Sequence, residues 1–429
     1  MKNLMGAAAL LLVQAATTQF SQAAEPDGLV LAPGFHASVV NDGVGQGARH
    51  ITVRANGDLY ISTNAANDGP QMGIIALHPS SDHKAATIEH FGAVDNGTGI
   101  RFYKGALYAA SPTTIYRFSF ADHELVPAAV PEVVVDGMPT AGFPSRSLVF
   151  DGKGGLFVSL GASGNICVDE TASKGSGPVG LKPCPALTGR SGIWRFDAEK
   201  TGQKFPTDGE QIATGLRDMQ AMDWSRDMNG LYGVMQNRNG TARLLANKVS
   251  NSADDDHVAE EMHRIDKGAD LGWPYTYYDG YLNVRVLAPE YGGDGRTPAQ
   301  GNYSTPVVAF PSHQSPLDLV FYDGRQFPKR FRGGAFVVFR GGAGPELATG
   351  YRGYDVQFVP FDKAGKPGAP QNFIEGFAGH DPSYKNPGKA MYRPTGAAVG
   401  PDGSLYVVDQ NKGRVWRISY NGGIDKLTP

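Results

Sequence analysis

A chain of 429 residues, 41% hydrophobic and 19% charged, with 57 glycines and 29 prolines, has material for a large core and is rich in turn formers. A net charge of −3 and the lack of any long basic run give nucleic acid no electrostatic hold, so that partner class drops out.

The first 24 residues read differently from the rest. Lys2, the apolar stretch LMGAAALLLV and the small residues Ser21 and Ala23 have the form of a secretory signal peptide cut after Ala23 or Ala24. Its apolar core is too short to span a bilayer, and no later run is long enough. The expected mature chain is one domain over residues 25–429, soluble, periplasmic or secreted, with no membrane span. In such a compartment Cys167 and Cys184, the two cysteines, are expected to close a loop as a disulfide contributing about 3 kcal/mol. A metal site built on them lacks close Cys or His partners.

Six phrases then recur along the chain: NGDLYIST (56–63), KGALYAAS (104–111), GGLFVSL (154–160), NGLYGVM (229–235), GGAFVVF (333–339) and DGSLYVVD (402–409). Each is a Gly-containing turn running into a strand, and a short apolar segment precedes it (ARHITV, GTGIRF, SRSLVF, MQAMDW, PLDLVF, TGAAV), which predicts a hairpin. A third strand follows in each case: GIIALHP, TIYRFSF, SGIWRFD, EMHRID, YDVQFVPFD and GRVWRISY. Self-similar units that cannot bury both faces alone must stack, so the expected fold is all-β, a six-bladed β-propeller of four-stranded antiparallel blades. No long helical periodicity supports an α/β alternative. Inserted loops are expected near 161–190 and 275–312.

In such a blade the chain enters the innermost strand at one mouth and returns there between the second and third strands. Arg49, Arg146, Arg217, Arg238, Arg340 and Arg393 all fall in those mouth-facing stretches, an arrangement suited to a ligand bearing several carboxylates or phosphates. Structural bridging between blades is the competing reading for any one of them.

From about residue 28 onward the chain resembles the soluble quinoprotein aldose dehydrogenases, the glucose and sorbosone dehydrogenase family. The stretches that carry the likeness are GLRDMQAMDW with GLYGVMQNR, EEMHRIDKGADLGWPY, SPLDLVFYDGRQFPKRFRGGAFVVFRGG and RPTGAAVGPDGSLYVVDQNKGRVWRISY. The resemblance implies pyrroloquinoline quinone over the mouth, a Ca2+ ion beside it, a sugar substrate and an external electron acceptor. It implies that Arg217 contacts the quinone carbonyls, with Asp218 where the family often has Asn, and that the stretch Gln236, Asn237 and Arg238 holds calcium through backbone carbonyls, the hard oxygen ligands that ion prefers. Arg340 and Arg393 fall in segments that supply cationic partners for cofactor carboxylates; Arg49, Arg146 and Asn96, from the mouth-facing stretches, complete the expected cofactor contacts.

The family's catalytic histidine falls on Phe143, which cannot accept a proton, and no histidine occurs between His123 and His257. The substitute base is expected to be His313, before the fifth inner strand, then His50, with Asp218 a weaker third beside Arg217. Two other functions stay open: a non-catalytic propeller that binds quinone or sugar, favoured by Phe143, and a gluconolactonase-type metal hydrolase using Asp95, Asn96 and Asp409. The acidic stretch SADDDHVAEE (252–261) lacks the glycine and ligand spacing of an EF-hand and is expected to be a solvated loop.

Overall fold

The recurring glycine has a backbone reason. In five of the six hairpin turns Gly57, Gly105, Gly154, Gly333 and Gly403 take φ of 96°, 81°, 98°, 74° and 82°, a left-handed region that a side chain resists. In the fourth repeat Asn229 takes φ 43°, asparagine being the residue that tolerates this region next best.

A computed structural model describes residues 26–64, 73–80, 82–92, 94–169, 178–240, 256–342 and 351–422. The expected signal peptide at 1–24 lies outside them. The described chain is strands with short 3-10 turns, in six antiparallel blades. Their innermost strands are Ala48–Val53, Ile100–Tyr103, Leu148–Phe150, Asp218–Ser225, Pro316–Phe321 and Pro394–Val399. Each packs on the next, and the sixth packs back on the first, so the ring closes. Closure is made by the N-terminal strand Phe35–Asn41, which pairs antiparallel with Val415–Tyr420 as the outermost strand of blade 6. Blades 2, 3 and 5 each gain a short fifth strand beyond the expected four, at Gln203–Lys204, Ala269–Asp270 and Val30–Leu31.

Inner strands leave one edge without a ladder partner, and each unpaired backbone group there needs another source of hydrogen bonds. Side chains of other blades supply them. Asp223 accepts the Phe321 N–H at 2.8 Å, Asp318 accepts the Ala397 N–H at 3.0 Å, and Thr395 donates to the Ala48 carbonyl at 3.0 Å. Arg101 reaches from blade 2 to Asp318 of blade 5 at 2.9 Å. His50 Nε2 donates to the Leu317 carbonyl at 2.7 Å. Burial pushes the His50 imidazole down to about 4, so it stays neutral with the hydrogen on Nε2.

Two long connections reach the mouth where the inner strands begin. One, between Gly155–Leu160 and Gly192–Asp197 of blade 3, holds the small hairpin Val168–Asp169/Val179–Gly180 and the disulfide Cys167–Cys184. The other leaves Glu260–Ile265 at the far end and climbs beside blade 3 through Ala269–Asp270. It forms the hairpin Thr276–Asp279/Val284–Leu287 against residues 257–259 before returning to Val308–Phe310.

Phe35 is the apolar bolt of the closure. Its ring meets Phe327, Phe331, Phe373 and Tyr420 edge-on, with centroids 4.7–5.1 Å away. Phe35→Ala should destabilise the ring by about 3–5 kcal/mol, read as a lower midpoint of denaturant unfolding; an unchanged midpoint would show that the N-terminal strand does not hold the propeller shut.

Candidate functional site

The mouth at which the inner strands start collects charge. Arg49 and Arg217 are buried, while Arg340 and Arg393 are partly exposed with their Nε groups buried and unpaired. Arg49 donates to Gln220 at 2.5 Å, and Gln220 in turn donates to Asp218 at 3.0 Å. Arg340 donates to Ser315 Oγ at 3.3 Å and Arg393 to the Gly341 carbonyl at 2.5 Å. Tyr354 lies under Arg393 with its hydroxyl buried and unpartnered. Burial, then the proximity of Arg49 and Arg393, pushes Arg340 down to about 9; burial alone leads in holding Arg49 and Arg217 at about 10. Asp218 is the shared counter-charge of Arg49, Arg146, Arg217 and Arg340, and its Oδ1 is buried without a partner.

Arg217 is placed by blade 3. Its guanidinium lies 4.2 Å above the Phe143 ring, its Nε donates to Asn165 Oδ1 at 2.7 Å, and Nη1 donates to the Gln236 carbonyl at 3.2 Å. Its own carbonyl accepts the Ala162 N–H at 2.7 Å, and Phe143 N–H donates to the Ala162 carbonyl at 3.0 Å. Phe143 therefore has a positive role as the surface on which Arg217 rests.

Arg146 does not share that role. All its nitrogens donate to backbone carbonyls, of Pro112, Pro139, Phe143 and Ser145, so it clamps its own loop to the blade 2 connection. The two terminal nitrogens of Arg238 are held in a fully buried bidentate pair with Glu290 at 2.9 Å and a bond to the Pro274 carbonyl at 2.8 Å, while its Nε is buried without a partner. Asn237 donates to the Ala259 carbonyl and to Glu261, and Gln236 Nε2 donates to Ser315 Oγ at 3.1 Å. Asn96, expected among the cofactor contacts, sits exposed on a turn with φ 50°. His313 stands at the mouth, partly buried, on a left-handed turn of φ 60° shared with Ser315. Asp409 is occupied structurally: it accepts the N–H groups of Arg393, Asn411, Lys412 and Arg414.

The expected solvated loop at 252–261 is corrected at its end: Glu260 and Glu261 are buried. Glu260 accepts the Asn237 N–H at 2.7 Å and the Ser315 N–H at 3.3 Å, and burial pushes its carboxyl up to about 7. Both residues open the third strand of blade 4 beneath the 236–238 loop, so backbone donors take the place of water. Sequence reading did not single them out, nor Asn165, Gln220, Ser315 and Tyr354; the available signals were that Glu261 already opens the predicted strand EMHRID and that Asn165, Gln220 and Ser315 lie in mouth-facing stretches.

A cavity of about 720 Å³ opens at the opposite end of the channel, between the ends of the inner strands and the hairpin turns, and includes Arg101, Asp223, Arg226 and Asp323. Two of the cations there are paired, Arg226 with Asp323 at 2.7 Å and Arg101 with Asp318 deeper in the channel at 2.9 Å. At the arginine mouth, by contrast, Arg340 Nε and Arg393 Nε are buried donors without acceptors.

Two consequences can be measured. A tricarboxylate such as citrate at low ionic strength should raise the melting temperature, because a ligand of the folded state alone stabilises it. Arg340→Met should weaken that response about tenfold, while the ligand-free protein keeps or gains stability as repulsion is relieved; an unaltered citrate response would place the anion elsewhere. Asp355, beside Tyr354, is buried and pushed from 3.8 up to about 7 by burial against the pull of Lys385 and Gln357. The folded state thus binds an extra proton between those values, and this stabilisation, full below about pH 4, is lost as pH rises through 7. Asp355→Asn should flatten the fall in melting temperature between pH 5 and 8; identical slopes would refute the assignment.

A family model described as TrAA12-like matches residues 29–281 and 290–421. Among solved structures, a calcium structure of Trichoderma reesei carbohydrate-active enzyme family AA12 aligns with a TM-score of 0.72 at 17% identity, covering 91% of this chain and 97% of that one. The holo form of the pyranose dehydrogenase PQQ domain from Coprinopsis cinerea gives 0.68 at 17% identity, covering 93% and 98%. The apo form of the soluble aldose sugar dehydrogenase from Escherichia coli gives 0.56 at 15%, covering 90% and 99%. An uncharacterized protein of Borreliella burgdorferi is 23% identical over 215 residues, so the chain spans about half the length of this curated relative, 49% of each being matched.

Proposed function

Because the chain belongs to the TrAA12-like family, we propose that it is a secreted or periplasmic quinoprotein dehydrogenase that oxidises an aldose or related polyol or aldehyde, using pyrroloquinoline quinone and calcium. The observation that carries this reading is the group of arginines at the mouth with buried N–H groups lacking acceptors, at Arg340 Nε and Arg393 Nε. A flat tricarboxylate supplies the acceptors this donor set is missing, so the residues fit the group. When bound, the quinone supplies the hydride-accepting chemistry that side chains do not have.

The chain's own residues divide the remaining work. Arg49, Arg340 and Arg393 hold the cofactor's carboxylates and offset the repulsion among themselves by doing so. Arg217, held over the Phe143 ring, would be the cation for the quinone carbonyls. The loop 236–238 would offer calcium main-chain oxygens, the Gln236 carbonyl already accepting from Arg217 and the Asn237 and Arg238 side chains being tied into the blade and the insertion. His313 takes the sugar hydroxyl proton on a ring nitrogen. His50, the other substitute base, is held neutral in a bond to Leu317 and acts as a tie across the channel. Asp218 balances the surrounding cations. An external acceptor would take up the electrons of the oxidation.

A non-catalytic quinone-binding propeller is the second reading, and Phe143 favours it; the cation–π contact with Arg217 gives that residue a purpose compatible with turnover. Reconstitution with quinone and calcium should give sugar-dependent dye reduction across a panel of aldoses. His313→Ala should lower kcat about 10²–10⁴-fold while quinone affinity is retained. Tight quinone binding with no turnover of any sugar would establish the second reading instead.

A further inference from the structure

Arg217 is fixed by contacts of two kinds. Packing over Phe143 at 4.2 Å holds the guanidinium against the ring but leaves its rotation there free. That rotation is set by two edge contacts, Nη1 to the Gln236 carbonyl and Nε to Asn165 Oδ1. Asn165 is a junction: the same oxygen accepts the Asn239 N–H at 3.1 Å, its amide nitrogen donates to the Asn239 carbonyl, and its own carbonyl accepts Trp273 Nε1 at 3.1 Å. It therefore joins the blade 3 connection, the 236–240 loop and the insertion of blade 4 at one point.

Two residues further on, Cys167 is bonded to Cys184. The Cys167 carbonyl accepts the Leu181 N–H at 3.0 Å and the Tyr291 hydroxyl at 3.0 Å. The disulfide packs with Ala162, Ala186 and Trp273, and Phe143 lies against the same cluster. The disulfide cluster therefore supports both the ring under Arg217 and the amide at its edge.

We propose that Asn165 is the positioning residue for Arg217 and that the Cys167–Cys184 disulfide holds Asn165 in register, so that affinity for the quinone depends on an intact disulfide. The dependence on quinone rests on the cofactor reading above; the orientation of Arg217 does not. Crystal structures of the cofactor-free wild type and of Asn165→Ala test the orientation directly, the guanidinium being expected to leave its contact with the Gln236 carbonyl in the variant. Absorbance titration with pyrroloquinoline quinone should show about tenfold to a hundredfold weaker binding in Asn165→Ala, and in the Cys167→Ser/Cys184→Ser protein. In an Arg217→Ala background neither change should weaken binding further. A guanidinium that keeps its place, or losses that multiply in that background, would overturn the proposal. If the wild type binds no quinone while the guanidinium moves in the variant, the positioning role stands and the cofactor reading falls. Should Asn165→Ala not fold, Asn165→Ser, whose hydroxyl falls short of Nε, carries the same test.

Discussion

Guanidinium groups gathered at one end of a channel repel one another and lose hydration, and the rest of the mouth is organised around that cost. Arg340 shows it most clearly, pushed down to about 9 by burial and by Arg49 and Arg393. Asp218 offsets part of the excess, and Gln220 relays its charge toward Arg49. The closed ring fixes the inner strands next to these side chains, which keeps their backbone positions close together. The surplus of donors is what an anionic ligand would relieve.

Carboxylates deeper in the channel do different work from those at the mouth. Asp223 and Asp318 cap open backbone edges of the next blade, a use that follows from strands having one unpaired side. Glu260 and Glu261 support the loop above them, Glu260 through backbone N–H groups and Glu261 through Asn237 and Arg285. The fully buried pair Arg238–Glu290 ties the same loop to the inserted connection. A buried pair of this kind contributes little net stability but is costly to half-remove, so it acts as a register pin between two elements far apart in sequence.

The two insertions have a common role at the rim. One is closed by the disulfide, the other climbs from the far end of blade 4, and Trp273 of the second bonds to Asn165 of the first. Arg217 sits where they meet. Loop segments, ordinarily the mobile part of a propeller, are here braced by apolar packing around the disulfide, which suits a site that must hold a planar group in one orientation.

The repeat itself was legible in the amino-acid order, because a turn needing φ above zero forces glycine or asparagine at the same place in every blade, and alternating apolar runs follow it. Position within the repeat also assigned Arg49, Arg217, Arg340 and Arg393 to one mouth, since each falls at or just before the start of an inner strand or just after the second strand of its blade. What tertiary structure alone decided is which arginine is available: Arg146 and Arg238 look the same in sequence, yet one is wrapped in carbonyls and the other is buried against Glu290. It also decided that Phe143 carries Arg217, that Asn165 bonds to it, and that Glu260 is buried, because each depends on contacts between residues 74, 52 and 23 positions apart that no local pattern records.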